Sequence, residues 1–248
     1  GGGAGNQHVW FDRSGKELGN VGSASADRGV SLSPDDKTLA ISRGGNGVAN
    51  PGLWLRDLAR DVETRLVFPP LAGNAPVWSP DGSRIVFSAR EGLYRKDTSG
   101  AGQEEGLLSK GNPKTASDWS RDGKFLLYTD IDPSSLADIW ILPDPLGKPG
   151  TAKPFPFLKT AFTESVGQFS ADGRWIAYTS NESGRQEVYV RPFTGGPSAP
   201  SVKWQVSRNG GRDPRWRRDG KELFYLEPTG TRQTIVAVPT QSASSSVF

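Results

Sequence analysis

The sequence predicts an all-β fold, a β-propeller of four-stranded antiparallel blades, and three observations predict it. One motif occurs five times, and successive copies are separated by 41 to 50 residues. Every copy places an aspartate turn between two apolar stretches. Glycine and proline, at 31 and 19 of 248 residues, punctuate the chain densely. A repeat of roughly 40–50 residues is typical of propeller blades, and frequent turn residues favour short strands over helices.

The recurring motif places a large apolar residue three positions before an aspartate. Its copies are Ser31–Lys37, Val77–Ser83, Asp118–Lys124, Gln168–Arg174 and Arg215–Lys221. Four copies have Asp-Gly in the turn, which tolerates the positive φ angles of a tight hairpin, whereas the first has Asp35 followed by Asp36. We expect the aspartates to hold the turns and the apolar residues to fill the core between blades.

Further strands follow each turn. We predict the second strands at 38–42, 84–88, 125–129, 175–179 and 222–226, where β-branched and aromatic residues are frequent. The third strands contain Leu53, Leu93, Ile139, Val188 and Ile235. Fourth strands are predicted in the first four units, at 64–68, 105–108, 156–159 and 203–206.

The predicted organisation is a flexible leader (1–7), one propeller domain (8–240) and a tail (241–248). The repeat units cover about 29–74, 75–116, 117–166, 167–212 and 213–240. Residues 8–21 form a partial blade, with the pattern of a third and a fourth strand but without the first two. A propeller must close its ring or leave exposed edges, so two arrangements are open. The hairpin completes the last of five blades, or it is half of a sixth blade whose remainder is missing.

Composition excludes several kinds of chemistry. The chain has no cysteine, which removes disulfides, thiolate metal sites and cysteine nucleophiles. Its single histidine, His8, lies near the start of the chain, whereas zinc sites and Ser-His-Asp catalysis usually need histidine. The sequence contains neither a Gly-x-Ser-x-Gly elbow nor the His-Arg-Asp and Asp-Phe-Gly motifs of a kinase. We therefore expect no enzymatic activity, no metal and no cofactor.

Charge and hydropathy argue against nucleic acid and against a membrane span in this chain. The formal net charge is only +3. The most basic segment, 208–221, holds six Arg and Lys residues, but Asp213 and Asp219 lie among them. A solvated turn is therefore favoured over nucleic-acid binding, with a patch for an acidic partner as the alternative. No apolar run approaches 18 residues, and the chain carries no signal-peptide core.

Three stretches carry a resemblance to a known family: Val9–Leu18, Gly173–Phe193 and Trp204–Tyr225. Together with the repeats, they resemble the TolB-like, WD-like β-propellers, and in particular the propeller region of bacterial receptor-like serine/threonine protein kinases, over residues 8–240. The resemblance implies a non-catalytic sensor or ligand-binding module, periplasmic or otherwise extracytoplasmic, that follows a cytoplasmic kinase domain and a membrane span. Six blades are typical of that family, whereas this chain shows five turn motifs.

Two other functions stay open at this point. One is a protein–protein interaction scaffold, as TolB-like propellers form in envelope complexes. The other is the gating propeller of a prolyl-oligopeptidase-type peptidase, separated from its catalytic domain. Fold resemblance alone does not identify the ligand or partner in any of the three.

The candidate ligand site is the central channel, because propellers arrange their innermost strands around it. Just before the large apolar residue, three of the five units carry a long polar side chain: Asp118, Gln168 and Arg215. Earlier in the strand come residues expected to ring the channel mouth: Arg28, Asn74, Lys114, Glu164 and Arg212. We expect either a small polar or zwitterionic ligand or a peptide end, or else polar groups that satisfy one another or water.

Overall fold

The structure is a computed structural model that describes residues 5–44, 51–71, 73–89, 92–133, 136–197 and 201–240. Its regular elements are strands throughout, arranged as five antiparallel sheets in a ring and a separate two-stranded N-terminal sheet. The prediction of an all-β propeller with five repeat units is confirmed.

The strand bounds follow the repeat. The N-terminal hairpin consists of β1 (Asn6–Phe11) and β2 (Glu17–Ser25). Blade 1 consists of β3 (Asp27–Leu32), β4 (Thr38–Arg43), β5 (Gly52–Asp57) and β6 (Val62–Val67). Blade 2 consists of β7 (Asn74–Trp78), β8 (Arg84–Ala89), β9 (Gly92–Asp97) and β10 (Glu105–Leu108). Blade 3 consists of β11 (Lys114–Trp119), β12 (Phe125–Asp132), β13 (Leu136–Pro143) and β14 (Phe155–Leu158). Blade 4 consists of β15 (Glu164–Phe169), β16 (Trp175–Ser180), β17 (Glu187–Pro192) and β18 (Trp204–Gln205), and blade 5 of β19 (Arg212–Trp216), β20 (Glu222–Thr229) and β21 (Arg232–Pro239).

The N-terminal hairpin does not complete the fifth blade. Within the described residues, β1 and β2 pair with each other, and β21 pairs with β20 alone, so the fifth sheet has three strands there. The hairpin lies instead on blade 1, where Val21 packs against Leu39 and Ile41. Strand β1 also begins at Asn6, two residues before the predicted start of the domain, and the predicted tail lies outside the described residues.

The core lies in the seams between blades. In the seam between blades 3 and 4, Leu127 and Ile139 pack against Phe169, Ile176 and Tyr178, and all five are at most 5% exposed. Similar apolar clusters fill the seams between blades 1 and 2, 2 and 3, and 4 and 5. Burying one such side chain stabilises the fold by roughly 1.5–3 kcal/mol, so these four seams dominate the stability of the ring.

A buried serine organises the turn in the first four blades. In blade 2, the Ser79 hydroxyl donates to Asp81 Oδ1 at 2.6 Å and accepts from the Arg84 backbone N–H at 2.9 Å. This hydrogen bond from Ser79 is the main reason that the pKa of Asp81 lies below its usual value. Ser33, Ser120 and Ser170 make the same pair of bonds. The turn aspartates therefore hold the turns, whereas Arg217 replaces the serine in blade 5.

Candidate functional site: the central cavity

A cavity of about 670 Å³ lies at the centre of the ring. Its walls come from the innermost strands β3, β7, β11, β15 and β19 and from the turns that follow them. All five blades contribute, so the cavity exists because the sheets are arranged in a ring. Its volume is in the range of small-molecule binding sites, roughly 300–1,000 Å³.

The innermost strands bring both the large apolar residue of each motif and the residue before it to the cavity. Successive side chains of a strand point to opposite faces, so the large apolar residue and the residue before it face different ways. Two of the large apolar residues also hold the wall together. The Trp78 indole N–H donates to the Ser31 carbonyl at 2.9 Å, and the Trp216 indole N–H donates to the Gln168 carbonyl at 3.2 Å. Each indole thus links its blade to the innermost strand of the preceding blade.

Asp118, Gln168 and Arg215 all line the cavity. Asp118 and Gln168 do not satisfy each other but reach across the seam between blades 3 and 4. Asp118 Oδ2 accepts from the Phe169 backbone N–H at 2.7 Å, and Gln168 Nε2 donates to the Ser117 carbonyl at 3.1 Å. These two bonds fix a carboxylate and an amide in the cavity wall.

Arg215 is in a different situation from these two side chains. Arg215 is an exposed residue, and its guanidinium donates to the Pro214 carbonyl at 2.9 Å. In the part of the chain that the structure describes, no carboxylate forms an ion pair with it. A cation with spare donors therefore faces the cavity.

The pKa of the Asp118 carboxyl lies well above that of an ordinary aspartate. Burial raises its pKa from 3.8 to about 6. Hydrogen bonds from the Phe169 and Trp119 backbones, and then the guanidinium charges of Arg215 and Arg121, oppose this rise and prevent a larger one. Asp118 is thus mainly ionised at neutral pH and about half protonated near pH 6.

Three more arginines border the cavity, and two of them are neutralised by carboxylates. Arg217 pairs with Glu222 at 3.0 Å, and Arg218 pairs with Asp36 at 2.7 Å. Arg121 donates to the Arg218 backbone carbonyl, and among the described residues it has no carboxylate partner. Among the described residues, Arg121 and Arg215 are therefore the two arginines of the cavity that form no ion pair with a carboxylate.

The cavity wall is chemically two-sided. Blades 1 and 2 contribute mainly apolar groups, including Val30, Leu32, Pro76 and Val77. Blades 3, 4 and 5 contribute the charged and amide side chains Asp118, Arg121, Gln168, Arg215, Arg217 and Arg218, beside the apolar Trp119, Phe169, Ala171 and Trp216. Asp118, Gln168 and Arg215 were expected here from the sequence, whereas the other three arginines were not. The pairing of Arg218 with Asp36 joins residues far apart in the chain.

The second predicted set lies elsewhere. The described lining of the cavity does not include Arg28, Asn74, Lys114, Glu164 or Arg212. In all five blades, a shift in strand register lies between the start of the innermost strand and its cavity-facing end. Such a bulge redirects the strand, and left-handed backbone at Val166 (φ 53°) marks it in blade 4. A ligand role for this set stays a prediction.

The five residues of that set lie in different environments. Arg28 and Asn74 are exposed, and Arg212 pairs with the adjacent Asp213. Lys114 is buried, and its ammonium forms an ion pair of 3.2 Å with Asp130. Glu164 is 1% exposed and accepts from the Thr160 hydroxyl at 2.6 Å, and burial raises its pKa.

The single histidine, His8, lies on the N-terminal hairpin and contacts Asp27 Oδ2 at 3.1 Å. In the described ranges, no three His, Cys, Asp or Glu side chains converge as metal ligands. The same ranges hold no helix of the length and apolar character that crossing a bilayer requires.

Comparison with known proteins shows similarity at the level of structure. No family model and no curated protein matches the sequence. A protein assigned as TolB from Agrobacterium tumefaciens superposes with a TM-score of 0.76 at 17% identity, covering 95% of this chain and 86% of that one. TolB from Acinetobacter baumannii superposes with a TM-score of 0.74 at 22% identity, covering 92% of this chain and 56% of that one. A prolyl endopeptidase superposes with a TM-score of 0.61 at 14% identity, and this chain covers 38% of it.

These similarities establish the fold. The resemblance to TolB-like propellers that the repeats suggest is thus supported in three dimensions, and the chain is a propeller module. The prolyl endopeptidase shares the propeller, although this chain spans little more than a third of it. Function must be argued from the cavity and its residues.

Proposed function

We propose that the protein is a non-catalytic ligand-binding or sensor propeller that holds its ligand in the central cavity. The observation that carries the proposal is Arg215, a guanidinium without a carboxylate partner among the described residues, in a cavity that also holds the Asp118 carboxyl. Binding sites combine apolar walls with a few convergent polar groups, and this cavity has both. Asp118 and Gln168 are fixed across the seam between blades 3 and 4, which reduces the entropy lost on binding.

We further propose that this module is the extracytoplasmic sensor part of a receptor-like serine/threonine kinase. The support is the sequence resemblance over residues 8–240, together with the likeness to TolB propellers. A ligand that binds the ring would report a condition outside the membrane to a kinase domain elsewhere in the protein. The gene segment that precedes this chain should then encode a kinase domain and one membrane span.

A second candidate is a TolB-type scaffold that binds a protein partner. The TolB likeness favours it, and a propeller from a nidogen/laminin complex also superposes, with a TM-score of 0.68. A peptidase gate is a third candidate, favoured only by the likeness to the prolyl endopeptidase. Neither alternative requires a small-molecule cavity with uncompensated cations.

A ligand screen tests the proposed function. Thermal unfolding of the protein is measured with a panel of amino acids, short peptides, carboxylates, sugars and nucleotides. At least one class should raise the melting temperature, because a ligand that binds the folded state stabilises it by mass action. The Arg215→Gln variant should lose this response. Arg174→Gln serves as the matched control, because Arg174 is exposed and pairs with Asp172 in its own turn, outside the cavity lining.

Two results would count against the proposal. If no class of small ligand stabilises the protein, the scaffold becomes the better explanation. If a ligand stabilises wild type and Arg215→Gln equally, its site lies outside the central cavity. Hydrolysis of peptides or transfer of phosphate from ATP by the purified protein would overturn the non-catalytic part.

A further inference from the structure

We propose that the cavity selects a ligand in which a carboxylate stands next to an N–H or ammonium donor and carries an apolar side chain. This chemistry belongs to a free apolar amino acid and to the carboxy-terminal residue of a peptide. The inference rests on the proposed function and specifies the ligand of the same site.

The anionic part of the ligand would be held by Arg215 and Arg121. Both line the cavity, and neither pairs with a carboxylate in the described part of the chain. Their neighbours Arg217 and Arg218 are already compensated by Glu222 and Asp36. A guanidinium offers a planar fork of donors that matches the two oxygens of a carboxylate. The cavity therefore offers two guanidinium groups that can bind an anion.

The donor part would be held by Asp118. Its carboxyl lies in the cavity wall, and Oδ2 is anchored by the Phe169 backbone N–H at 2.7 Å. Arg215 and Arg121 line the same cavity as this carboxyl. A ligand with adjacent acid and amine or amide groups can satisfy the guanidinium groups and the carboxyl together, which an inorganic anion cannot.

The apolar part would lie against blades 1 and 2. Val30 is 43% exposed, although it is a valine on the innermost strand of blade 1 and lines the cavity. Leu32, Pro76 and Val77 continue this apolar wall. Charged groups stand on the other three blades, so a ligand with a polar head and an apolar side chain matches both sides.

Three tripeptides test the inference by isothermal titration near neutral pH and low salt. The probes are glycylglycylleucine with a free carboxylate, the same peptide as its carboxamide, and glycylglycylserine. The free acid should bind at least tenfold more tightly than the amide, because the amide cannot occupy the guanidinium site as an anion. It should also bind severalfold more tightly than the serine peptide. Free leucine is titrated in parallel to separate an amino-acid ligand from a peptide end.

Variants show which residues determine each part of the ligand preference. Arg215→Gln and Arg121→Gln should reduce the ratio between acid and amide to below threefold. Val30→Ser should reduce the ratio between the leucine and serine peptides while leaving the ratio between acid and amide intact. Arg174→Gln should change neither ratio, and the melting temperature of each variant without ligand verifies its fold.

The outcomes separate the inference from the proposed function. Equal binding of acid and amide overturns the inference, even if the cavity binds both. The same holds if none of the peptides or leucine binds while another class, such as a sugar, binds at the cavity; the proposed function then stands. If nothing in the wider panel binds, both fail. If leucine binds and the tripeptide does not, the ligand is a free amino acid. If the tripeptide binds with equal or higher affinity than leucine, the ligand is the carboxy-terminal end of a peptide.

Discussion

Arg218 donates two hydrogen bonds to the Asp36 carboxylate, at 2.7 and 2.8 Å, and thereby joins the turn of the fifth blade to the turn of the first. Asp36 occupies the turn position where the other four motifs have glycine, and it takes the same left-handed backbone, with φ 61°. Aspartate tolerates this region at some cost. The irregular Asp35–Asp36 turn thus supplies a charge that links blade 1 to blade 5, where the ring closes. In the described residues, no apolar cluster is shared between these two blades.

The junction between blades 5 and 1 should respond to salt. Asp36→Asn keeps a side chain that tolerates the left-handed turn but removes the charge, so it should lower the free energy of unfolding by about 0.5–1 kcal/mol at low salt. At about 1 M salt, where the screening length is roughly 3 Å, the difference should vanish. Urea unfolding at both salt concentrations measures this. Asp36→Gly is the control: it removes the same charge and the backbone strain, so it should be more stable than Asp36→Asn at both concentrations.

Arg215 should be dispensable for folding, unlike a structural arginine. Arg215→Gln should change the free energy of unfolding by less than about 1 kcal/mol, because no buried charge is left unpaired. Arg43→Gln is the contrast, since the Arg43 side chain is 13% exposed and bonds both Asp27 and Glu63. Its loss should cost about 3–5 kcal/mol. Equal losses in both variants, measured by urea unfolding, would show that Arg215 is a structural cation.

The contribution of Asp118 to stability should fall as the pH rises from about 4 to about 7. The folded-state pKa of Asp118, about 6, lies above its unfolded value of 3.8, so the folded protein binds more protons in this window. The stabilisation is complete below the unfolded value and is lost as the pH rises through the folded one. Glu164, with its raised pKa, acts in the same direction.

The variant Asp118→Asn isolates this effect. Asparagine cannot ionise, so thermal melts across pH 4.5 to 7.5, a window set by the folded value near 6, should show a smaller decline than in wild type. The difference between the two proteins should grow with pH and level off above 7. A difference independent of pH would contradict the raised pKa.

The buried turn serine, Ser79, should matter more than its partly buried neighbour, Ser83. Ser79→Ala removes a donor to Asp81 and an acceptor for the Arg84 backbone N–H, at a buried site, and should cost about 1–3 kcal/mol. Ser83→Ala removes a hydroxyl that bonds the same carboxylate at the surface, and should cost less than about 0.5 kcal/mol. Denaturant melts of the two variants give the comparison, and similar losses would argue against the serine as the centre of the turn.

Much of the fold was predictable because its signals are local. The turn aspartates and glycines fix the hairpins, and the predicted strand at 105–108 coincides with β10. The position of the N-terminal hairpin was not predictable, because it depends on the packing of Val21 against Leu39 and Ile41 of another sheet. The serine before each turn was visible in four of the five motifs, and its recurrence was the signal that could have revealed its role.

The site was predictable in part for the same reason. Asp118, Gln168 and Arg215 were expected in the central channel because they lie on the innermost strands, and they line the cavity; their role in binding a ligand stays a prediction. A period of two fails where a bulge intervenes, and a register shift separates Glu164 and Arg212 from these positions. The pairing of Arg218 with Asp36 joins residues 182 positions apart, and no local pattern encodes it.

The division of tasks within the motif has a consequence for how such a protein can diversify. The aspartate and serine hold the turn, and the large apolar residue fills the seam, so both are constrained by the scaffold. The residue before the apolar one faces the cavity and differs in every unit of this chain: Ser31, Val77, Asp118, Gln168 and Arg215. A substitution at Ser31 or Arg215 can therefore change what the wall recognises without disturbing turn or seam. Asp118 and Gln168 also bond across the seam between blades 3 and 4, and Val77 packs in the seam between blades 2 and 3. Binding preference can thus evolve separately from foldability in two blades, whereas in the other three a change of contact is also a change of the seam.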